Sequence, residues 1–201
     1  MTREAILLVH GHGAHPVLLE PLRYALGRQG FRAINWRYRS LGGSIEAHAA
    51  RLAAAAEGLD DDANVERLHF VGHSMGAIVV RRALAITRPQ KLARVVLLAP
   101  PNRGARLADW ALKVFGPRLA AATELSSHPD SYVNRLAPPA DLDCGVIAAS
   151  WDHVVSRDST FLPGQRDHVV LRSLHTLPLH WRTPVQVGHF LRHGRFLHET
   201  G

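Results

Sequence analysis

The chain has 201 residues, a length that favours a single domain spanning residues 1–201. Hydrophobic residues make up 46% of it and charged residues 20%, a globular balance that excludes wholesale disorder. Its single cysteine, Cys144, excludes an internal disulfide and a cysteine-based zinc cage, and favours a reducing compartment.

The net charge is strongly positive, because 24 Lys and Arg residues against 17 Asp and Glu give +7. These basic residues are scattered, with Arg81-Arg82 as the longest run, and aromatic residues make up only 6%. Modules that bind nucleic acid need a basic stripe interleaved with aromatic rings, so we expect no nucleic-acid partner. A solvated, arginine-rich surface is the favoured interpretation. The alternative is a basic face that attracts an anionic substrate or associates weakly with anionic lipid surfaces.

The apolar runs of the sequence are short. None approaches the roughly 18 consecutive apolar residues that a membrane-spanning helix needs. The amino terminus runs from Met1 to Glu4 directly into an apolar segment at residues 5–9, without the pattern of a secretory leader. We therefore expect a soluble, cytoplasmic protein. A leader removed before Met1 would leave the same sequence, so export stays open as an alternative.

Taken in chain order, the first part of the sequence alternates between strand and helix patterns. Residues 5–9 form a continuous apolar run typical of a central parallel strand. Residues 16–29 have apolar positions at helical spacing, and residues 31–36 predict a second short strand. Ser44 is placed to cap a second helix. A third strand is predicted over residues 67–72.

The alternation continues, with one interruption. A helix is predicted up to residue 87 and a fourth strand over residues 94–99, after which residues 102–143 break the rhythm. Strand patterns return at residues 144–149 and 168–171. The last helix opens at residues 183–186 (Thr-Pro-Val-Gln), which predict a capping box.

This order of elements predicts βαβ units. Such units give a parallel sheet with helices on both faces, here of about six strands. The irregular segment 102–143 fits a short cap insertion above the sheet. We therefore predict one doubly wound α/β domain.

One motif carries chemistry. Residues 72–76 (Gly-His-Ser-Met-Gly) match G-x-S-x-G between an apolar strand and a helix, where a nucleophile elbow requires them. Small residues are needed there because the serine occupies a strained turn and the strand and helix approach closely. The alternative is a glycine-rich turn in which Ser74 is incidental.

A serine nucleophile needs a base, a group that orients the base, and backbone donors for the oxyanion. Met75 opens the helix after the elbow, so its N–H is one predicted donor. The turn after the first strand, residues 10–13 (His-Gly-His-Gly), would lie beside the elbow, and the His12 N–H is the second. A metal cluster of His10, His12 and His15 is the alternative, but their spacing matches no common zinc pattern. We expect no metal and no cofactor.

Three segments together resemble the compact bacterial lipase and esterase branch of the α/β-hydrolase superfamily. They are residues 8–11 (Leu-Val-His-Gly), residues 72–76, and residues 97–104 (Leu-Leu-Ala-Pro-Pro-Asn-Arg-Gly). The resemblance implies an α/β-hydrolase fold over nearly the whole chain. It also implies a triad in the order serine, acid, histidine.

The resemblance places the acid after a late strand. Asp152, in Ser-Trp-Asp-His-Val-Val, is similar to the family's Asp-Gly-x-Val segment, with His153 in place of glycine. A non-glycine residue there must adopt an allowed backbone conformation. Asp158 and Asp167 are the rivals, and both have the sequence setting of surface loop residues.

The base is expected between the last strand and the last helix. His175 occupies that loop and resembles the family's Ser/Thr-His-Thr segment. His168 begins a strand and His180 lies further along the loop, so both are rivals. We expect surface positions for three more histidines of the terminal helix and tail: His189, His193 and His198.

The resemblance implies a serine hydrolase that cleaves small-molecule carboxylic esters or lipids through an acyl-enzyme. Thioesters and amides stay open as substrates, because the same triad serves all acyl transfer. A non-catalytic binding protein on the same fold is the competing class. For the cap, we predict a shallow, partly open acyl pocket that accepts short to medium chains. One apolar wall would come from a short helix, through Leu107, Trp110, Ala111, Val114 and Phe115.

Overall fold

The computed structural model describes residues 3–115, 120–138 and 141–198. The strands are β1 (Glu4–Val9), β2 (Arg32–Trp36), β3 (Arg67–His73), β4 (Leu92–Leu98), β5 (Cys144–Ala149) and β6 (Asp167–Leu171). The α-helices are α1 (Glu20–Arg28), α2 (Ile45–Asp60), α3 (Met75–Ile86), α4 (Arg106–Phe115), α5 (Ala120–Leu125), α6 (Tyr132–Arg135) and α7 (Thr183–His193).

The six strands form one sheet in the order β2-β1-β3-β4-β5-β6, and all five pairings are parallel. The prediction of a parallel sheet of about six strands is therefore confirmed. The chain runs from β1 outward to β2 and then returns to β3 on the other side of β1. Loops that leave β1 and β3 therefore diverge at a topological switch point, the crevice where α/β sheets place their sites.

The sheet separates two hydrophobic cores, and the alternation of side chains along β1 shows how. Ile6 and Leu8 point into the core under α1 and α7, whereas Leu7 and Val9 point into the core under α2 and α3. All four side chains are buried, as the continuous apolar run predicted for a central strand covered on both faces.

Helix starts follow the local sequence with two differences from prediction. Ser44 caps α2 as predicted, its Oγ accepting from the Ala47 N–H at 3.2 Å. The helix predicted over residues 16–29 is split into a 3₁₀ turn (Pro16–Leu19) and α1, with a second proline in the first turn of α1. The capping box at α7 is wrong. Thr183 is fully buried inside the helix, and the Gln186 side-chain amide binds the Leu197 backbone instead.

In its described residues, the segment 102–143 places helices α4, α5 and α6 between β4 and β5. Backbone and side-chain hydrogen bonds tie it together, such as Ala105 N–H to the Leu125 carbonyl and Ser127 N–H to Asp109, both at 2.8 Å. Glu124 accepts from the Ile45 N–H at 3.1 Å, which fixes α5 at the amino end of α2.

In the described part of the chain, every helix is too short or too polar to cross a membrane.

Candidate active site

The turn from β3 into α3 is a sharp elbow with Ser74 at its tip. The backbone of Ser74 has φ 54° and ψ −126°, a region that non-glycine residues rarely occupy and that carries strain. A Cβ on Gly72 would lie 2.6 Å from the Ala77 Cα, and one on Gly76 would overlap the carbonyl oxygens of Val9 and His10. Both glycines of the motif are therefore required by close backbone contacts.

The turn after β1 lies directly against this elbow. A Cβ on Gly11 would come within 2.9 Å of the Ser74 Cβ, so a glycine is needed for the turn to approach the serine. This proximity follows from the pairing of β1 with β3, in which Val9 is opposite Gly72.

Ser74, His175 and Asp152 form a continuous hydrogen-bonded relay. The His175 Nε2 lies 2.9 Å from the Ser74 Oγ, and the His175 Nδ1 lies 2.7 Å from the Asp152 Oδ2. These three side chains come from the loops after β3, β5 and β6, and parallel pairing brings the carboxyl ends of those strands to one edge of the sheet. The predicted serine, acid and base are thus brought together in hydrogen-bonding order.

The Asp152 carboxylate is held by its own loop. Its Oδ1 accepts the backbone N–H groups of Val154 at 2.8 Å and Val155 at 2.9 Å, and only 2% of the side chain is exposed. Burial by itself raises the pKa of Asp152, but the hydrogen bonds from His175, Val155 and Val154 outweigh it and leave the pKa below its ordinary value. Asp152 is therefore an ionised acceptor facing His175. His153 has no left-handed backbone, so the loop forms without glycine.

His73, directly before the serine, supports the base loop. Its Nε2–H donates to the His175 carbonyl oxygen at 2.8 Å, and the two rings are 4.9 Å apart. Burial, reinforced by the neighbouring His175, lowers the pKa of His73 to about 3, so the ring is a neutral donor. From the sequence alone, His73 has no predicted function. Its position between a buried strand and the nucleophile was the available signal.

The rival acids lie elsewhere. Asp158 is exposed in a 3₁₀ turn (Arg157–Thr160). Asp167 binds the carboxyl-terminal segment, accepting from the Phe196 N–H at 2.7 Å and lying 2.9 Å from the His198 Nε2. Neither carboxylate is bonded to His175.

The rival histidines also have other partners. The His168 Nε2 lies 3.2 Å from the Thr160 Oγ1, and the His180 Nδ1 accepts from the Arg182 N–H at 3.3 Å. The His189 ring donates to the Arg195 carbonyl and contacts the His193 ring. His175 is the histidine that the fold brings to Ser74.

The histidines after β1 bind separate backbone groups. The His10 ring nitrogens face the carbonyls of Gly11 and Tyr38, and the His12 Nδ1–H donates to the Ser40 carbonyl at 2.8 Å. His15 accepts from a backbone N–H in its own turn. Within residues 3–115, 120–138 and 141–198, no three His, Cys, Asp or Glu side chains converge as metal ligands.

The two backbone donors expected for an oxyanion belong to Met75, which directly follows Ser74, and to His12, which directly follows Gly11 in the turn against the elbow. Met75 begins α3, so its N–H has no acceptor within the helix. Among the described hydrogen bonds of the 10–13 turn, Gly13 N–H and Ala14 N–H have acceptors, whereas the His12 N–H has none. Neither N–H group has an acceptor among the described hydrogen bonds.

Exposed apolar side chains lie next to the acid and the base along the chain, and others lie on α4. Trp151 and Leu174 directly precede the acid and the base, and each is about half exposed (54% and 52%). On α4, Leu107, Trp110 and Val114 are also about half exposed, whereas Ala111 packs against the core under α2 and α3. The Phe115 side chain, expected in the same wall, lies outside what the structure describes. Residues 116–119 and 139–140 lie outside it as well.

Comparisons with known proteins agree with this architecture. A triacylglycerol lipase of Pseudomonas fragi is 31% identical over 168 residues, covering 74% of this chain and 56% of that protein. Epoxide hydrolase A of Mycobacterium tuberculosis is 28% identical over 200 residues, covering 75% of this chain and 61% of that protein. The chain thus spans little more than half the length of these curated relatives.

Solved structures share the fold. The mature Bacillus licheniformis lipase BlEst2 superposes with a TM-score of 0.72 at 16% identity, covering 94% of this chain and 90% of that one. Aspergillus fumigatus lipase B superposes with a TM-score of 0.75 at 12% identity, covering 96% of this chain and 53% of that one. The profile of the Alpha/beta hydrolase family matches residues 6–198. The resemblance noted in the sequence is therefore confirmed: the chain belongs to the α/β-hydrolase family.

Proposed function

We propose that this protein is a serine hydrolase that cleaves carboxylic esters through an acyl-enzyme. The observation that carries the proposal is the unbroken relay from the Ser74 Oγ through both ring nitrogens of His175 to the buried carboxylate of Asp152. A serine hydroxyl becomes a useful nucleophile when a base accepts its proton and a third group fixes the tautomer of that base.

In the proposed reaction, the Ser74 Oγ attacks the ester carbonyl carbon while the His175 Nε2 takes the hydroxyl proton. The carbonyl electrons move onto oxygen, and the N–H groups of Met75 and His12 bind the resulting oxyanion. Collapse expels the alcohol, which receives the proton from His175. Water then attacks the acyl-enzyme with His175 as base again, releasing the acid and restoring Ser74. Asp152 stays ionised throughout and holds the imidazole in place.

Acyl transfer fits the nucleophile better than epoxide opening, the activity named for one relative. Attack by Ser74 on an epoxide carbon would leave a serine alkyl ether. Such an ether has no carbonyl for water to attack, so the enzyme would not turn over. Attack on an ester leaves an acyl group that water can release. The serine therefore favours the activity named for the lipase relative.

The proposed substrates are small esters or lipids with short to medium acyl chains. Support comes from the exposed apolar residues beside the acid and the base, Trp151 and Leu174, and from the half-exposed stripe of Leu107, Trp110 and Val114 on α4. An acyl chain would bury this apolar surface at a gain of about 25 cal/mol per Å². Thioesters are a second candidate on the same triad, since their carbonyl is attacked in the same way.

Hydrolysis of p-nitrophenyl acetate and butyrate by wild type and Ser74→Ala tests the proposal. Ser74→Ala removes the nucleophile, so the rate should fall by at least about three orders of magnitude. Ser126→Ala is the matched control, because it also removes a serine hydroxyl, one that donates to the Thr123 carbonyl in the insertion and lies outside the relay. Substantial activity in folded Ser74→Ala, or an inactive wild type, would refute the proposal and favour a binding protein.

A further inference from the structure

The loop after β2 binds the 10–13 turn at several points. The Tyr38 hydroxyl donates to the His10 carbonyl oxygen at 2.6 Å. The Ser40 carbonyl accepts from the His12 Nδ1–H at 2.8 Å, and the Ser40 Oγ accepts from the Gly13 N–H at 3.1 Å. These bonds hold the residues on both sides of the His12 backbone N–H, as well as the His12 side chain.

Ring packing makes the Tyr38 end of this contact rigid. The Tyr38 ring stacks on His10 with centroids 4.4 Å apart and on Trp36 at 4.8 Å, and it meets His48 edge-on at 4.8 Å. Tyr38 is only 7% exposed, and burial raises the pKa of its hydroxyl, which therefore stays a proton donor. The His10 carbonyl oxygen, which accepts from the Tyr38 hydroxyl, lies against Gly76 at the start of α3.

Backbone contacts at the elbow and these bonds help to fix where the 10–13 turn lies. Gly11 and Gly13 confer conformational freedom on the turn, Gly13 having φ +66°. An oxyanion donor acts only when it is preorganised within hydrogen-bonding distance of the charge that develops. The turn needs an external brace to meet that requirement, and the loop after β2 supplies one.

We propose that Tyr38 and Ser40 are positioning residues for the oxyanion hole, holding the His12 N–H toward the oxyanion formed on Ser74. The proposal rests on the proposed function, since it concerns the transition state of that reaction. It assigns catalytic importance to a loop that contributes no side chain to the triad. Ground-state binding of substrate does not depend on this brace, whereas stabilisation of the tetrahedral intermediate does.

Tyr38→Phe and Ser40→Ala test this, since each removes a hydroxyl and leaves the ring packing or backbone intact. Active sites are counted with a fluorophosphonate, so kcat refers to functional enzyme. We expect kcat on p-nitrophenyl butyrate to fall about tenfold with KM changed less than about twofold. The inhibition constant of an alkyl trifluoromethyl ketone should rise by a similar factor, since its adduct on Ser74 places an oxyanion in the hole. Tyr132→Phe is the matched control, because it removes a tyrosine hydroxyl bonded to Glu46 at 2.7 Å.

The outcomes separate the two proposals. If wild type is active but Tyr38→Phe and Ser40→Ala keep wild-type kcat per active site, the positioning function is refuted and the ester hydrolase stands. The same holds if the variants lose only thermal stability while the ketone binds unchanged. If Tyr38→Phe fails to fold, Ser40→Ala decides alone. A wild type that neither hydrolyses esters nor reacts with the fluorophosphonate refutes the proposed function and this inference with it.

Discussion

The buried acid offers the most informative single perturbation, Asp152→Asn. The asparagine Oδ1 can still accept from the Val154 and Val155 N–H groups, at 2.8 and 2.9 Å in the native loop, so the loop keeps its shape. That orientation turns the amide NH₂ toward the His175 Nδ1, where the carboxylate oxygen now lies at 2.7 Å. The ring must then accept at Nδ1 and carry its proton on Nε2, facing Ser74.

This tautomer cannot take the proton of the Ser74 hydroxyl, so kcat should fall by a large factor. In a serine protease with this triad, the same change costs about 10⁴ in kcat. We therefore expect a loss of about 10³ to 10⁴ here, which corresponds to about 4–5.5 kcal/mol of activation free energy. Unfolding temperature should change little because the side chains are isosteric. The assay is kcat on p-nitrophenyl butyrate, with Asp158→Asn as the matched control because Asp158 is exposed and outside the relay. A folded Asp152→Asn protein within tenfold of wild type would refute the assignment of the acid.

Three further predictions concern stability and specificity. Because burial lowers the pKa of His73 from 6.5 to about 3 in the folded state, the stability that His73 contributes is present above pH 6.5 and decreases as pH falls. By pH 5 this contribution should be smaller by about 2 kcal/mol. Urea unfolding at pH 7 and pH 5 measures the free energy of unfolding. Between these pH values, His73→Gln should lose correspondingly less stability than wild type, and an equal loss in both proteins would contradict the prediction. Gly76→Ala should unfold at a much lower temperature than wild type, because the added methyl group overlaps the Val9 and His10 carbonyl oxygens. Gly58→Ala is the control: the added methyl group meets open space on α2, so the free energy of unfolding should rise by about 0.5–1 kcal/mol. Equal melting temperatures of the two variants would contradict the close contact at Gly76. Trp110→Ala should lower hydrolysis rates on longer p-nitrophenyl esters more than on the acetate, and Tyr24→Ala is the control because Tyr24 is also exposed. The open-pocket prediction is wrong if Trp110→Ala leaves the dependence of rate on chain length unchanged. It is also wrong if wild type is strongly activated only above the concentration at which the substrate aggregates.

The sheet and the elbow could be predicted because their determinants are local. The apolar run in β1 and the alternation of strand and helix patterns predict parallel strands covered on both faces. The G-x-S-x-G motif predicts the strained backbone of Ser74 because its glycines meet other backbone at close range. These signals lie within a few residues of the feature that they specify.

The supporting contacts could not be predicted because they join distant segments through loop geometry. The His73 ring reaches the His175 carbonyl 102 residues away, and Tyr38 reaches His10 across 28 residues. Side-chain competition explains the wrong capping box at α7, where the amide of Gln186 found partners at Leu197 instead. Local patterns specify what a segment prefers, and tertiary packing decides which partner it meets.

The central claim, that Ser74 is a nucleophile activated by His175, is tested most directly by covalent labelling. Wild-type protein is incubated with an alkyl fluorophosphonate and examined by intact-protein and peptide mass spectrometry. We expect one adduct per chain, located on Ser74. Labelling should be at least about a hundredfold slower in His175→Ala, whereas His168→Ala should label at the wild-type rate. No adduct on the wild-type protein, an adduct on a different residue, or undiminished labelling of folded His175→Ala would contradict it.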